Sequence, residues 1–365
     1  MTRHRLSRHV AFALAAGACA SAHAQSSVTL FGMIDSGVTW VSNSGGHSVL
    51  QASDGINGPN LWGLIGTEDL GGGMSAVFNL TNQFLLNKGS FPGTQSLFTR
   101  TAYVGLSSTH YGMLTLGNQY DFINDFLYGV GDDPALSIGH LYGQYSGPFS
   151  GLTLPSNSNA DTDWFRGSGR APNTVKYLSP TIAGVSAGAM VGFGNVAGSM
   201  GTGDEMSFTL NYAQGNFGAN AAYTFQKYPS TAGTIGPQTD LRRWGTGARY
   251  QFGPVRASAM YLSVHDEANG GTIYEATAGA TWLIRPDFDL GVSYAYVKGN
   301  ETLANAHGHQ EAVIAEYFLS KRTSVYVMSV YQRASAGAFA TITGTGAVSD
   351  DQNQLLARIG MKTRF

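Results

Sequence analysis

The sequence contains one cysteine in 365 residues, Cys19, so no disulfide can hold the fold together. It also has no continuous apolar run of 18 residues, which excludes ordinary membrane-spanning helices. The 21 Lys and Arg residues are outnumbered by 23 Asp and Glu residues, which argues against a nucleic-acid-binding protein. The fold must therefore be stabilised by something other than disulfides, and the protein must have a function other than nucleic-acid binding.

Glycine and aromatic residues are abundant where charge is scarce. The sequence has 49 Gly, 18 Tyr and 19 Phe, and only 12% of its residues are charged. Average proteins contain about 7% glycine, roughly half the share found here. Aromatic residues favour β structure. The composition therefore predicts an all-β protein.

The first 24 residues have the pattern of a secretory signal. Three arginines precede an apolar run at residues 10–18, and residues 22–24 form a small-x-small cleavage site. We expect residues 1–24 to be removed on export, leaving residues 25–365 as one domain without cysteine. A lipid anchor at Cys19 is the alternative, but residues 16–18 lack the leucine that usually precedes such a cysteine.

The last strand-like segment, residues 353–365, sets apolar against charged residues. Leu355, Ile359 and Met361 alternate with Arg358 and Lys362. A period of two indicates a β-strand with one apolar and one polar face. The closing strand of a membrane barrel, apolar toward lipid and polar toward a water-filled lumen, fits this pattern.

The same alternation recurs through the chain. It predicts a 16-stranded antiparallel transmembrane β-barrel with strands at residues 27–41, 60–66, 74–84, 97–107, 111–121, 173–179, 185–193, 206–214, 217–227, 242–252, 255–264, 274–284, 288–298, 310–320, 323–333 and 353–365.

The predicted connections alternate between short turns and long polar loops. Bacterial outer-membrane barrels place short turns at the periplasmic rim and long loops outside. The third outer loop, residues 122–172, is much longer than the others. We expect it to fold inward and to narrow the pore, with its acids Asp125, Asp132 and Asp133 and its cation Arg170 near the permeant path.

Several stretches resemble Gram-negative general, non-specific outer-membrane porins of the β-proteobacterial type. They are SVTLFG from Ser27, GTEDLGGG from Gly66, RTAYVGL from Arg100, LGNQYD from Leu116, NTVKYLSP from Asn173 and the terminal Phe365. The resemblance spans the mature chain in order. It implies a homotrimer of sixteen-stranded barrels in the outer membrane, each constricted by its third outer loop.

The chain departs from this family in its wall cations. Basic residues commonly stand in the family where this chain has Leu61, Ile65 and Asn118, whereas Arg100 and Lys176 match the pattern. Since lining charges set the field in a narrow pore, we expect a weaker anion preference than in arginine-rich relatives, or a modest cation preference. The candidate lining residues are Arg100, Asn118, Asp125, Asp132, Asp133, Arg170, Lys176, Arg249 and Arg358.

These observations predict a passive channel for small hydrophilic solutes and ions, with outer-membrane lipid around it and with no cofactor. A substrate-selective channel is the alternative, favoured if Leu61 and Ile65 face the lumen. An enzyme would need a nucleophile and a base, and no histidine stands in such a motif. His307 and His309 lie in a predicted loop without further ligands, so we expect no metal site.

Overall fold

The computed structural model describes residues 26–92, 97–128, 170–229, 238–267, 269–342 and 346–365. The strands in these ranges are β1 Ser27–Ser44, β2 His47–Asp54, β3 Leu61–Gly71, β4 Met74–Gln83, β5 Thr101–Ser108, β6 Gly112–Tyr120, β7 Arg170–Leu178, β8 Val185–Gly192, β9 Glu205–Gln214, β10 Phe217–Pro229, β11 Gln238–Phe252, β12 Val255–Asp266, β13 Thr272–Arg285, β14 Phe288–Gly299, β15 His307–Phe318, β16 Thr323–Ala334 and β17 Asn353–Arg364. Two short helical turns lie at Ile123–Tyr128 and Glu301–Leu303. No helix in the described ranges is long and apolar enough to cross a membrane.

Sixteen of these strands close into one antiparallel barrel. From β3 to β17 each strand pairs with the next in the chain, and β1 pairs with both β17 and β3. Val38 opposite Ile359 and Leu30 opposite Leu64 mark the two seams of β1. The predicted 16-stranded antiparallel barrel is confirmed, with strand ends within a few residues of those expected.

Strand β2 is a seventeenth strand of the same sheet and lies on the edge of β1 that β3 occupies farther along, in a segment where the sequence predicts a loop. Gly45 and Gly46 have positive φ angles of 63° and 91° and turn the chain back on itself. β2 then pairs with the upper half of β1, with Val38 opposite Ala52. The first outer loop therefore begins as a β-hairpin. The sequence of such a short polar strand resembles that of a loop, so the sequence alone does not reveal it.

The outer face of the barrel is apolar and exposed, as the alternation predicts. Val28 and Ile359 are each 66% exposed, and Tyr274 and Trp282 also face outward. Their inward-facing neighbour Glu275 is buried. Lipid can solvate such an outer face, because every strand edge in the ring is paired and no open edge remains.

The chain terminus completes the ring. The backbone N–H and carbonyl of Phe365 both hydrogen-bond to Gly32 at 3.1 Å. A Cβ atom on Gly32 would lie 2.3 Å from the ring atom Cζ of Phe365, so only glycine admits the aromatic ring at this seam.

The inner wall divides into two arcs of different chemistry. On β4 to β10 polar side chains dominate and form the polar arc: Asn79, Thr81, Thr101, Tyr103, Thr115, Gln119, Thr174, Lys176, Ser207, Thr209, Asn211, Asn220 and Thr224. On β12 to β17 buried apolar side chains form the apolar arc, interspersed with buried polar residues such as Glu275, Gln310, Glu316, Gln332, Gln354, Arg358 and Lys362: Met260, Leu262, Val264, Ile273, Ala295, Val297, Ala312, Ile314, Met328, Val330 and Leu356.

Two loop segments cover the β15 to β17 part of the apolar arc. Ile56 and Ile342 pack with Met328, Val330 and other inward residues in one buried cluster. The backbone N–H of Ile342 donates to Oε1 of buried Gln354 at 2.6 Å. This part of the lumen is therefore filled like an ordinary protein core.

Candidate pore-lining site

The start of the long third loop lies against the inner wall. After β6, Phe122 is completely buried, and its backbone N–H donates to Oγ of Ser207 on β9 at 3.0 Å. Its ring fits over Gly188, where a Cβ atom would lie 2.5 Å from the ring. The remainder of the loop, with the candidate residues Asp132 and Asp133, lies outside the described residues.

A buried ion pair fixes this start of the loop. Asp121 Oδ2 lies 3.2 Å from Nη2 of Arg243, and both side chains are fully buried. The hydroxyl of Thr224 donates to the same carboxylate at 2.9 Å, and the backbone N–H of Asn124 donates to the other oxygen at 2.9 Å. Buried Glu205 lies in the same region. Three donors to the Asp121 carboxylate thus hold the chain where it leaves β6.

Arg243 is a site residue that sequence reasoning missed. Residues 241–249 alternate, so Arg243 faces inward like Arg249, but its partner Asp121 is more than a hundred residues away in the chain. The alternation alone could have placed Arg243 inside. The pairing could not be read from it.

Lys176 and Asp125 are brought together as an ion pair beside this anchor. Lys176 is 8% exposed, and its ammonium also donates to the carbonyl of Tyr120 at 2.7 Å. The same ammonium lies 4.5 Å from the ring centre of Phe122. The pair holds the first turn of the third loop against β7 and sets a positive and a negative group at the lumen wall.

Two further predicted cations meet at one tyrosine. Arg100 donates from Nη1 to the hydroxyl of Tyr120 at 3.0 Å and from Nε to Gln83 at 2.9 Å. Arg170 donates from Nε to the same hydroxyl at 3.3 Å. Arg100, Arg170 and Lys176 therefore lie around a single side of the barrel.

A cavity of about 210 Å³ opens between these groups and the inner faces of β4 to β7. Lys176, Asp125 and Tyr120 line it together with polar residues of the polar arc such as Asn79 and Thr101. Its volume and mixed charges suit water and small hydrophilic solutes.

The other predicted lining residues lie elsewhere. Arg249 faces inward by register, and its guanidinium lies over Gly218, where a Cβ atom would be 2.7 Å from Cζ. Asn118 pairs with Ala102, which alternates with the inward-facing Thr101 and Tyr103. Asn118 therefore faces away from the lumen, which corrects its assignment to the pore.

Arg358 faces inward as predicted but does not line the pore. It is 1% exposed, and its Nη2 lies 2.9 Å from Oδ1 of Asp35. Its Nε donates to the hydroxyl of Tyr326 at 2.7 Å, and that hydroxyl donates to Asp35 at 2.7 Å. Asp35 also accepts the backbone N–H of Ile56 at 3.1 Å. The assignment is corrected: Arg358 anchors the inward segment at residues 55–60.

Leu61 and Ile65 do face the lumen. They pair with Met33 and Thr29 on the inward side of β1, and Ile65 is 41% exposed. Two positions that are commonly basic in related porins are thus apolar on this inner wall. Among the residues that the structure describes, four cations and three carboxylates lie near the cavity, and Lys176 and Asp125 line it: Arg100, Arg170, Lys176 and Arg243, with Asp121, Asp125 and Glu205. The described part of the chain contains no cluster of three or more His, Cys, Asp or Glu side chains able to hold a metal.

A closed barrel with an apolar outer face, a polar inner arc and loop segments packed against its inner wall defines the class of β-barrel membrane channels. Residues 11–337 match the model of the Gram-negative porin family, and the chain belongs to that family. It is 27% identical to outer membrane porin protein 32 of Delftia acidovorans over 359 residues, 95% of this chain and 97% of that protein.

Two solved structures support the same fold. An anion-selective porin from Comamonas acidovorans aligns with a TM-score of 0.79 at 23% identity, covering 93% of this chain and all of the other. The trimer form of OmpT from Vibrio cholerae aligns with a TM-score of 0.64 at 15% identity, covering 93% of this chain and 99% of the other. The protein is an outer-membrane porin, a channel for passive diffusion of small solutes.

Proposed function

We propose that solutes cross this porin along the polar arc, past Lys176 and Asp125, and that the charges there give a weak preference for anions. The observation that supports this most is the contrast between the open cavity at Lys176 and the filled lumen beneath Ile56 and Ile342. Among the charged groups near the cavity in the described part of the chain, the cations exceed the carboxylates by one. Since a narrow pore follows its lining charges, the bias is small.

The test is single-channel conductance of the purified protein in a planar bilayer, with the reversal potential measured under a KCl gradient. Large ohmic steps with a reversal potential slightly on the anion side are expected. A reversal potential near the chloride equilibrium value, or one on the cation side, would contradict the assignment of the selective charges.

The oligomer is proposed to be a trimer. The solved OmpT structure from Vibrio cholerae that aligns with this chain is a trimer form. Closed symmetric assemblies are the common state of soluble homo-oligomers. Conductance steps that occur in groups of three, and a native mass of three chains, are expected; steps and masses of one chain would rule out the trimer.

A substrate-selective channel is the second candidate. Ile65 is 41% exposed on the inward face and Leu61 lies four residues away on the same face, so the lumen carries apolar side chains beside the cations. Such a channel would show saturable flux for one solute in liposomes. Flux that rises linearly with concentration for sugars and amino acids alike would favour the general porin.

No catalytic step is needed in this function, because size exclusion and lining charge account for transport. Residues 1–24 are proposed to be removed during export. The intact mass of the protein isolated from outer membranes should correspond to a chain that starts at residue 25, and a mass with residues 1–24 retained would refute the cleavage.

A further inference from the structure

Four basic residues cluster on the outer face of the barrel, at the end that carries the long loops. They are Lys298 on β14, His307 and His309 on β15, and Arg333 on β16, and we call them the rim patch. Lys298 lies opposite His307, and His309 lies opposite Arg333. Side chains directly opposite each other on neighbouring strands lie about 5 Å apart at Cβ. The rim patch is therefore one continuous basic surface across three strands.

Tyrosines directly below the rim patch place it at the membrane boundary. Tyr294, Tyr296 and Tyr331 share its face and lie nearer the middle of the strands. The ring of His309 lies 5.0 Å from that of Tyr296, and its Nδ1 is 2.6 Å from the hydroxyl of Tyr294. Tyrosine rings in such positions lie at lipid headgroup level. The rim patch then meets the headgroups of the outer leaflet.

The cations of the rim patch are not neutralised by acids within the described ranges. Lys298 and Arg333 are exposed and form no ion pair there. By contrast, Arg242, at the same end of β11, pairs with Glu267 at 2.7 Å. The acid on the same face as the rim patch is Glu311, which lies opposite Tyr294 and Tyr331, one pair deeper.

The two histidines add donors in fixed orientations. Nδ1 of His307 lies 3.2 Å from the carbonyl of Asn305, and Nδ1 of His309 lies near Tyr294. These contacts leave Nε2 of both rings available toward the surface. Two fixed positive charges and two imidazole groups form a surface that complements a phosphate monoester.

We propose that the rim patch binds the phosphate groups of the anionic lipid in the outer leaflet. Basic residues beside an aromatic belt recognise lipid phosphates by charge and by hydrogen bonding. The inference concerns the lipid-facing surface and does not depend on the path of solutes through the lumen.

The test uses the purified full-length barrel in neutral detergent, with diphosphorylated lipid A as the probe and native mass spectrometry as the readout. The double variant Lys298→Gln, Arg333→Gln should bind the lipid roughly thirtyfold more weakly, the loss expected for two surface cations. Glu311→Gln should bind as well as the wild type or better, because it removes the negative charge beside the site. Arg242→Gln is the matched control and should bind unchanged.

The outcomes separate the possible occupants. Unchanged conductance in the double variant shows that the barrel is folded and makes a loss of lipid meaningful. Equal binding by the double variant and the wild type would overturn the proposal, and so would equal binding of dephosphorylated lipid A. A change in native mass of the assembly would assign the surface to contacts between copies of the chain instead.

Discussion

The polar and apolar arcs share one outer face but differ inside the barrel. Outward residues of both arcs are apolar and exposed, such as Val104 on β5 and Val327 on β16. Inside, hydroxyl and amide groups surround the cavity at Lys176, whereas Ile314 and Met328 are buried beneath inward loops. The loops therefore decide which part of the inner wall is in contact with water. A strand with two apolar faces is stable wherever a loop covers its inner side.

Each arc has its own buried ion pair, and each pair holds a loop. Asp121 and Arg243 fix the start of the third loop beside the polar arc. Asp35 and Arg358 fix residues 55–60 over the apolar arc. Removing one partner of a fully buried pair leaves the other charge without compensation.

The largest effect is expected from breaking the apolar-arc anchor. Arg358→Ala leaves Asp35 buried and unpaired, and we expect it to lower the free energy of unfolding by about 3–5 kcal/mol. Urea unfolding of the refolded barrel in detergent measures this. The double variant Asp35→Asn, Arg358→Met should recover much of the loss.

The matched control is Arg285→Ala, which breaks the exposed ion pair with Asp287 at a short turn. In the wild type, the hydrogen bond that Arg285 donates lowers the pKa of Asp287, but both side chains are exposed and solvent screens their attraction. We expect no measurable change in unfolding. If both arginine variants behaved alike, the buried pair would not be the anchor.

The next largest effect is expected when one inward residue of each arc is replaced by alanine. Ile314→Ala should lower stability by about 2–5 kcal/mol, because it opens a cavity in a packed cluster, and should leave conductance unchanged. Thr101→Ala should cost about 0.5–1.5 kcal/mol for its hydrogen bond to Asn79 and should alter conductance. A conductance change for the isoleucine variant alone would reverse the assignment of the two arcs.

The two faces of strand β14 should differ in whether they tolerate a charged residue. Val292 on β14 is 48% exposed toward lipid, and the next residue, Ser293, faces inward. Val292→Arg should hinder assembly, since an arginine at the bilayer middle costs about 2–4 kcal/mol. Ser293→Arg should assemble, and the heat-modifiable mobility of the folded barrel on gels measures both. The opposite ranking would mean that the faces are exchanged.

The smallest effects are expected at the selective charges. Lys176→Gln should move the reversal potential toward the cation side, and Asp125→Asn should move it toward the anion side, because the two variants remove opposite charges from the lumen wall. A KCl gradient across a planar bilayer measures both shifts. Shifts of the same sign, or none, would remove this pair from the permeant path.

Alternation in the sequence was enough to predict the ring of strands and most of their faces. It predicts Arg358 and Lys362 inside and Ile359 outside, because a period of two is visible in the sequence without knowledge of the strand partners. It placed Asn118 inside only through the resemblance to other porins, and the pairing with Ala102 turns that residue outward. The sequence predicts His307 and His309 in a loop, because the polar residues around them do not alternate with apolar ones. Both residues lie on β15.

The two arcs could not be predicted in this way. Whether Ile314 and Met328 meet water depends on Ile56 and Ile342, which come from distant loops. The pairing of Asp121 with Arg243 has the same origin, since it joins a loop to a strand across the barrel. Such contacts form only when the ring closes and brings distant segments together, so no periodic pattern in the sequence reveals them.

The measurement that tests the account most directly is thiol accessibility on the two arcs. The only cysteine is Cys19, so a chain expressed from residue 25 has no background thiol. We expect a charged methanethiosulfonate reagent to lower the single-channel current of Asn79→Cys and to leave that of Ile314→Cys unchanged. Modification of Ile314→Cys, with no effect on Asn79→Cys, would contradict a solute path along the polar arc.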